Sequence, residues 1–111
     1  MTLTTIRTDS GPTVVVLPER LDGANAGEAE QELAPVLAEG RTTVVDATGC
    51  VYISSAGLRL LLVLAKRLRP QGAKVLIAGM SDELMDIMRV TGFDHLFAFH
   101  PDLKAAMAAG G

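Results

Sequence analysis

Residues 42–68 read "TTVVDATGCVYISSAGLRLLLVLAKRL" and contain the strongest fold signal in the chain. The run at 42–47 is short, rich in β-branched residues and continuously apolar up to Asp46, which is typical of a strand buried on both faces of a parallel sheet. After the pair Ser54–Ser55 the leucines recur with helical periodicity. A buried strand that leads through a turn into a helix is half of a βαβ unit, so this stretch predicts an α/β fold.

The same pattern repeats on both sides of this stretch. The strand predictions are 13–17, 42–47 and 74–79, and the helix predictions that alternate with them are 26–39, 56–69 and 82–91. The threonine-rich segment 2–8 is expected to pair antiparallel with 13–17 across the turn "DSGP", and a last short strand at 95–99 precedes a small terminal helix. We therefore predict a single α/β domain over residues 1–111, with a mixed, mostly parallel sheet of four or five strands and helices packed against it.

Length and composition exclude several classes of protein. The chain has 111 residues, 49% of them hydrophobic, which is enough for one core and too few for two. A net charge of -3, with the basic residues scattered, argues against nucleic-acid binding. The single cysteine, Cys50, cannot form an internal disulfide, and no apolar run approaches the roughly 18 residues of a membrane span. We expect a cytoplasmic protein without membrane insertion, whose Ala/Gly-rich tail at 105–111 frays.

Polar residues at the predicted helix starts have the spacing of helix caps. Asn25 and Glu28 have the N-cap and N3 spacing of a capping box, and Ser81 precedes an acidic first turn. Either Ser54 or Ser55 can cap the leucine-rich helix, which is the commonest role of a serine at such a position.

Catalysis by Ser55 lacks the residues that it requires. A nucleophile elbow needs glycine two positions before and two after the serine; Gly57 meets the second requirement, but Ile53 occupies the first position. Nothing in the sequence connects His95 or His100 to the serine as a base, and no metal cluster or phosphate-binding loop occurs. We therefore expect a protein that is not an enzyme and that binds no cofactor or metal.

The leucine-rich helix has an apolar arc of roughly 200°, about twice the width that packing on a sheet requires. The face predicted to cover the sheet consists of Leu58, Leu61, Leu62, Ala65 and Leu68, and the apolar residues on other faces are Leu60, Val63 and Leu64. Two explanations stay open. Either neighbouring helices bury the sides of this helix, or a partly exposed apolar surface beside Ser55 marks a protein-binding site.

Three segments carry a family resemblance. They are "VVVLPERLDGANA" at 14–26, the stretch at 42–68, and "GAKVLIAGMSDELMDIMRVTGFDHLF" at 72–97. In this order the segments resemble the STAS domain family, and in particular the bacterial anti-sigma factor antagonists. The D-S-x-G-L turn of that family aligns with residues 54–58, so the resemblance implies Ser55 as the phosphorylated residue, with Ser54 as the second choice. Asp22 matches the family's loop aspartate, whereas Ser54 and Glu19 stand where the family often has aspartate and glycine.

The resemblance implies a partner-switching function. An unmodified antagonist binds an anti-sigma factor that is also a serine kinase, phosphorylation ends the binding, and a serine phosphatase restores it; Mg-ATP belongs to the kinase. The predicted partner-binding residues are Asp22, Asn25, Ser54, Ser55, Gly57, Leu58 and Arg59. The alternative is a constitutive STAS subunit of a lipid-transport ABC complex or of a larger signalling assembly, in which Ser55 is only a helix cap.

Overall fold

The computed structural model describes residues 1–111. The strands are β1 (Thr4–Ile6), β2 (Thr13–Val16), β3 (Arg20–Leu21), β4 (Thr43–Asp46), β5 (Tyr52–Ile53), β6 (Val75–Ala78) and β7 (Ala98–His100). The helices are α1 (Ala26–Glu39), α2 (Ser55–Leu68), α3 (Asp82–Thr91) and α4 (Leu103–Gly110), with short 3-10 helices at Arg69–Gln71 and Phe93–Leu96. None of these helices has the length and apolar character that crossing a bilayer requires.

Five of the strands form one mixed sheet in the order β1-β2-β4-β6-β7. β1 and β2 are antiparallel, with Thr4 opposite Val16, and the other neighbouring strands are parallel. The central strands β2, β4 and β6 are almost entirely buried because helices cover both faces of the sheet. The predicted mixed, mostly parallel sheet of four or five strands is confirmed.

The sheet separates a large core from a small one. Successive residues of a strand point to opposite faces, so β4 contributes Val45 to the large cluster and Val44 to the small one. The large cluster contains the buried residues of α1, α2 and α3, whereas the small one contains Ala106 of α4 with Leu76 and Ala78 of β6. Three helices therefore cover one face of the sheet and α4 covers the other.

The C-terminal segment contains the predicted strand and helix, with the strand further along the chain than expected. The strand expected at 95–99 is β7 at Ala98–His100, because the residues before it form a 3-10 helix. The small terminal helix expected after this strand is α4, which includes most of the tail at 105–111 that was expected to fray. Its N-cap Asp102 accepts a hydrogen bond from the Ala105 amide at 2.8 Å. Ala106 is fully buried against the sheet. This small apolar side chain is held by tertiary packing, which composition does not reveal.

The apolar arc of α2 is explained mainly by its neighbour α1, which packs alongside it. Leu60 and Leu64, predicted on other faces, are buried with 2% and 1% exposure, and Leu60 lines the crevice between the two helices. Leu58 and Leu62, predicted on the sheet-covering face, are only half-buried. The buried face is thus rotated from the predicted one, and the explanation in which a neighbouring helix buries one side of α2 is confirmed for Leu60.

Candidate functional site

A second, two-stranded sheet joins the loop around Asp22 to the start of α2. β3 pairs in parallel with β5, with Leu21 opposite Ile53. The Ser54 amide then donates a hydrogen bond to the Leu21 carbonyl at 2.9 Å. Asp22, which follows Leu21 directly, is therefore held beside the serine turn (Ser54–Ser55). The sequence did not predict this pairing, because strands of two residues are too short to show a periodicity.

The loop from Asp22 to Asn25 is closed by its own side chains. Asn25 Oδ1 accepts a hydrogen bond from the Asp22 amide at 2.9 Å, and Asn25 Nδ2 donates to the Arg20 carbonyl at 2.8 Å. Asn25 occupies the N-cap position of α1 but makes no side-chain bond to the helix. The capping box predicted for Asn25 and Glu28 was therefore wrong, because the Asn25 side chain is engaged in closing the loop.

The two serines have different environments at the start of α2. Ser54 is the N-cap, and its Oγ accepts a hydrogen bond from the Gly57 amide at 3.3 Å. Ser55 is the first helical residue, one position earlier than the predicted start, and its side chain is exposed without a hydrogen-bond partner. The predicted N-cap at Ser81 is confirmed in the same way, since its Oγ accepts from the Leu84 amide at 3.3 Å.

Gly57 allows α2 to approach the small sheet closely. A Cβ atom at this position would lie 2.8 Å from the Leu21 carbonyl oxygen and 2.8 Å from Ile53 Cγ2. Contacts of that length are too short for any side chain larger than hydrogen. The glycine that was predicted as a partner-binding residue thus has a packing role, which fixes the serine turn against β3 and β5.

Two arginines border the serine turn, and each has an acidic neighbour. The Arg20 guanidinium lies 4.3 Å from the centroid of the Tyr52 ring, and its Nε is 3.8 Å from Asp22 Oδ2. Arg59 Nη1 on α2 is 3.7 Å from Glu30 Oε1 on α1. Arg20 and Tyr52 were not predicted as site residues. Their only sequence signal is that each lies two residues before a predicted site residue, Asp22 and Ser54 respectively.

Apolar side chains and a crevice complete the surface around the serine turn. Val51 and Tyr52 are 61% and 41% exposed, and Leu58 in the first turns of α2 is half-buried. A crevice of about 230 Å³ opens between α1 and α2, and small residues such as Gly27 and Ala56 line it. A half-exposed tyrosine and two exposed arginines therefore lie around the serine turn, and both residue types are enriched at protein-protein interfaces.

Metal-binding residue types do not cluster in this structure. No group of three or more His, Cys, Asp or Glu side chains lies close enough to hold a metal ion. His95 is in the 3-10 helix before β7, where its Nε2 is 3.7 Å from Asp94 Oδ1. Cys50 is buried beneath the turn, and this burial raises the pKa of its thiol, which keeps the thiol protonated.

Known proteins resemble this chain in both sequence and structure. The sequence pattern of the STAS domain family matches residues 4–106. A Bordetella bronchiseptica protein named as an anti-sigma factor antagonist, BtrV, is 34% identical over 100 residues, which cover 89% of this chain and 86% of that protein. An anti-sigma factor antagonist (STAS) domain protein from Planctomyces limnophilus has a similar structure, with a TM-score of 0.87, 18% identity and 96% of each chain covered. Phosphorylated SpoIIAA of Bacillus gives a TM-score of 0.74 at 13% identity, covering 94% of this chain and 96% of that one.

Proposed function

This chain belongs to the STAS domain family, and on that basis we propose that it is an anti-sigma factor antagonist. In this proposal the surface around Asp22 and Ser55 binds an anti-sigma factor, and phosphorylation of Ser55 ends the binding. The protein acts as a binding module and not as an enzyme. The similarity to BtrV and to a phosphorylated SpoIIAA supports both the role and the mode of control.

The observation that carries the proposal is the contrast between two neighbouring hydroxyl groups. A kinase requires an acceptor oxygen that is reachable and not engaged elsewhere. Ser54 is half-buried and its Oγ caps α2 through the Gly57 amide, whereas Ser55 is exposed and its hydroxyl has no partner. This contrast favours Ser55 as the phosphorylated residue and leaves Ser54 as the structural cap.

A phosphate at Ser55 has opposite consequences for the chain and for a bound partner. It adds about -1.5 to -2 charges at a helix N-terminus, where the helix dipole favours negative charge by roughly 0.3–1 kcal/mol. In a complex, a partner carboxylate about 4 Å away would repel each unit of that charge by about 4 kcal/mol at an effective dielectric constant near 20. Each 1.4 kcal/mol is tenfold in affinity, so a single phosphate releases the partner without unfolding the antagonist.

The proposal implies two partners in a cycle. The anti-sigma factor is also the serine kinase, and it supplies the Mg-ATP site. A serine phosphatase returns the protein to its binding form. The constitutive STAS subunit of an ABC complex or signalling assembly is the competing function, in which the same surface is permanently covered and Ser55 is never modified.

The experiment that tests the phosphorylation site incubates the protein with the anti-sigma factor kinase of the same organism and Mg-ATP. Peptide mass spectrometry then locates the phosphate in the wild type and in the Ser54→Ala and Ser55→Ala variants. We expect one phosphate, on Ser55, that persists in Ser54→Ala and disappears in Ser55→Ala. Phosphate on Ser54 alone, or none with a kinase that modifies a control substrate, would contradict the proposal and favour the constitutive subunit.

A further inference from the structure

Arg59 lies one helical turn after Ser55 on the same side of α2. Side chains four residues apart on a helix are neighbours, with Cβ atoms about 5–6 Å apart. Helical side chains also lean toward the N-terminus of the helix, which directs a long residue such as Arg59 back toward Ser55. The Arg59 side chain is 73% exposed, so no packing prevents this movement.

The present partner of Arg59 holds it only weakly. Arg59 Nη1 is 3.7 Å from Glu30 Oε1, which is longer than a hydrogen bond, and the Glu30 side chain is 49% exposed. Exposed ion pairs of this kind contribute little, because water screens the charges and two long side chains must be ordered. A stronger anion placed nearby would therefore compete successfully with Glu30.

A phosphate on Ser55 meets the requirements for such a competitor. It carries more charge than a carboxylate and offers three acceptor oxygens, which a guanidinium can bind in a bidentate manner. A negative group placed four residues before a positive one is the favourable order on a helix. The first turn of α2 contains no acidic side chain that would repel the phosphate.

The other charged groups around the turn do not take this role as readily. Arg20 is stacked on the Tyr52 ring at 4.3 Å and lies 3.8 Å from Asp22, so it has two contacts to lose. Asp22 and Glu30 are anionic and would repel a phosphate. Arg59 is the cation with a single, long contact and with the i, i+4 relation to Ser55.

We propose that Arg59 exchanges Glu30 for the phosphate on Ser55. Phosphorylation then has a second effect besides adding charge: it releases the ion pair between α1 and α2 at the edge of the crevice that both residues line. The phosphorylated state is held by a contact within the chain. The inference rests on the proposed function, because it concerns the form in which Ser55 is modified.

The test uses protein in which phosphoserine is incorporated at position 55 during translation. A ³¹P NMR titration gives the pKa of the phosphate for this protein and for its Arg59→Gln and Arg67→Gln variants. Arg67 is the matched control, because it is an exposed arginine of the same helix that lies about 18 Å from Ser55 along the helix axis, beyond the Debye length in 0.1 M salt. We expect Arg59→Gln to raise the phosphate pKa by about 0.4, since the dianion loses its cation, and Arg67→Gln to change it little.

A Glu30→Gln variant separates a direct contact from a general charge effect. If Arg59 is shared between the two anions, Glu30→Gln lowers the phosphate pKa, and it does so less when Arg59 is already glutamine. Equal shifts for Arg59→Gln and Arg67→Gln, or no shift for either, would overturn the inference.

The titration is independent of any kinase, since the phosphate is installed during synthesis. Failure of the kinase to modify Ser55 would therefore count against the proposed function alone. A phosphate pKa that ignores Arg59, in a protein that the kinase does modify, would count against the ion-pair exchange alone.

Discussion

At the scale of single residues, the site depends on a close approach that only glycine permits. A Cβ atom placed on Gly57 would lie 2.8 Å from the backbone oxygen of Leu21. A backbone oxygen cannot rotate away as a flexible side chain can, so any larger residue must displace α2 or β3. The serine turn and the Asp22 loop would move apart as a result.

Gly57→Ala is expected to destabilise the protein by about 1–2 kcal/mol, because the strain of overpacking exceeds the better helix propensity of alanine. Denaturant unfolding followed by circular dichroism measures this change. Gly49→Ala is the matched control, since a Cβ there meets no atom within 4 Å. A Gly57→Ala variant as stable as the wild type would show that the approach is not tight.

Replacing each of the two serines by alanine is expected to change the stability of the protein by different amounts, because their side chains have different environments. Ser54→Ala removes the cap of α2 and should cost about 1 kcal/mol of unfolding free energy. Ser55→Ala removes an exposed hydroxyl without a partner and should stay within about 0.5 kcal/mol of the wild type. Thermal or denaturant unfolding compares the two, and a larger loss for Ser55→Ala would reverse their assignment.

Residue roles could be predicted from the sequence only where the side chain bonds locally. The caps at Ser54 and Ser81 follow from their spacing to the next backbone amides. Asn25 has the same local spacing, yet its side-chain amide bonds to the backbone of Asp22 and Arg20, because these residues lie close to it in the loop before α1. Arg20 and Tyr52 came together through a strand pairing that no local pattern announces.

At the scale of elements, β1 is tied to α1 by one carboxylate. Glu32 accepts hydrogen bonds from the amides of Thr2 at 2.8 Å and Leu3 at 2.6 Å. The Thr2 amide bond is the main cause that lowers the pKa of Glu32, and it outweighs the opposing effect of desolvation. This edge strand is short and has half of its hydrogen-bonding groups unpaired, so the link to α1 holds it in place.

The lowered pKa fixes the sign of a pH dependence. A carboxyl whose pKa is lower in the folded state stabilises the fold above its ordinary pKa, and this contribution is lost as the pH falls through the folded-state value. We expect Glu32→Gln to be less stable than the wild type at pH 7, with a difference that shrinks toward pH 3. Urea unfolding at several pH values measures it, with Glu19→Gln as the control at an exposed site without such bonds. A difference that is constant with pH would contradict the ionised contact.

Elements with a clear sequence pattern were predictable, whereas the two-residue strands β3 and β5 were not. The central strands could be predicted because consecutive residues are apolar, and α1 and α3 because the segments that alternate with these strands have helical character. The rotation of the buried face of α2 could not, because a helix with apolar residues on most sides does not reveal which neighbour it meets. α4 was predicted as a small terminal helix, but its packing was not, because its buried residue is an alanine, whose small side chain gives little hydrophobic signal.

At the scale of the whole molecule, the fold holds two distant segments of the chain at one end of the structure. The Asp22 loop and the serine turn are about 30 residues apart in sequence, and the β3–β5 pairing brings them together on a base of buried strands. The exposed surface there can change its charge without a change in the core beneath it. In the proposed switch the phosphate changes the charge of this surface, so the buried strands beneath it need not rearrange.

The affinity of the anti-sigma factor for the phosphorylated and unmodified protein tests this account most directly. Isothermal titration calorimetry would compare the unmodified protein, protein with phosphoserine at position 55, and protein with phosphoserine at Ser81, an N-cap at the start of α3. We predict binding at least about 100-fold weaker for the form modified at Ser55, because repulsion of about 4 kcal/mol per unit charge exceeds the roughly 2.8 kcal/mol that a 100-fold change requires. We predict little change for the form modified at Ser81. Equal affinity of the folded Ser55-phosphorylated form and the unmodified protein would contradict the account.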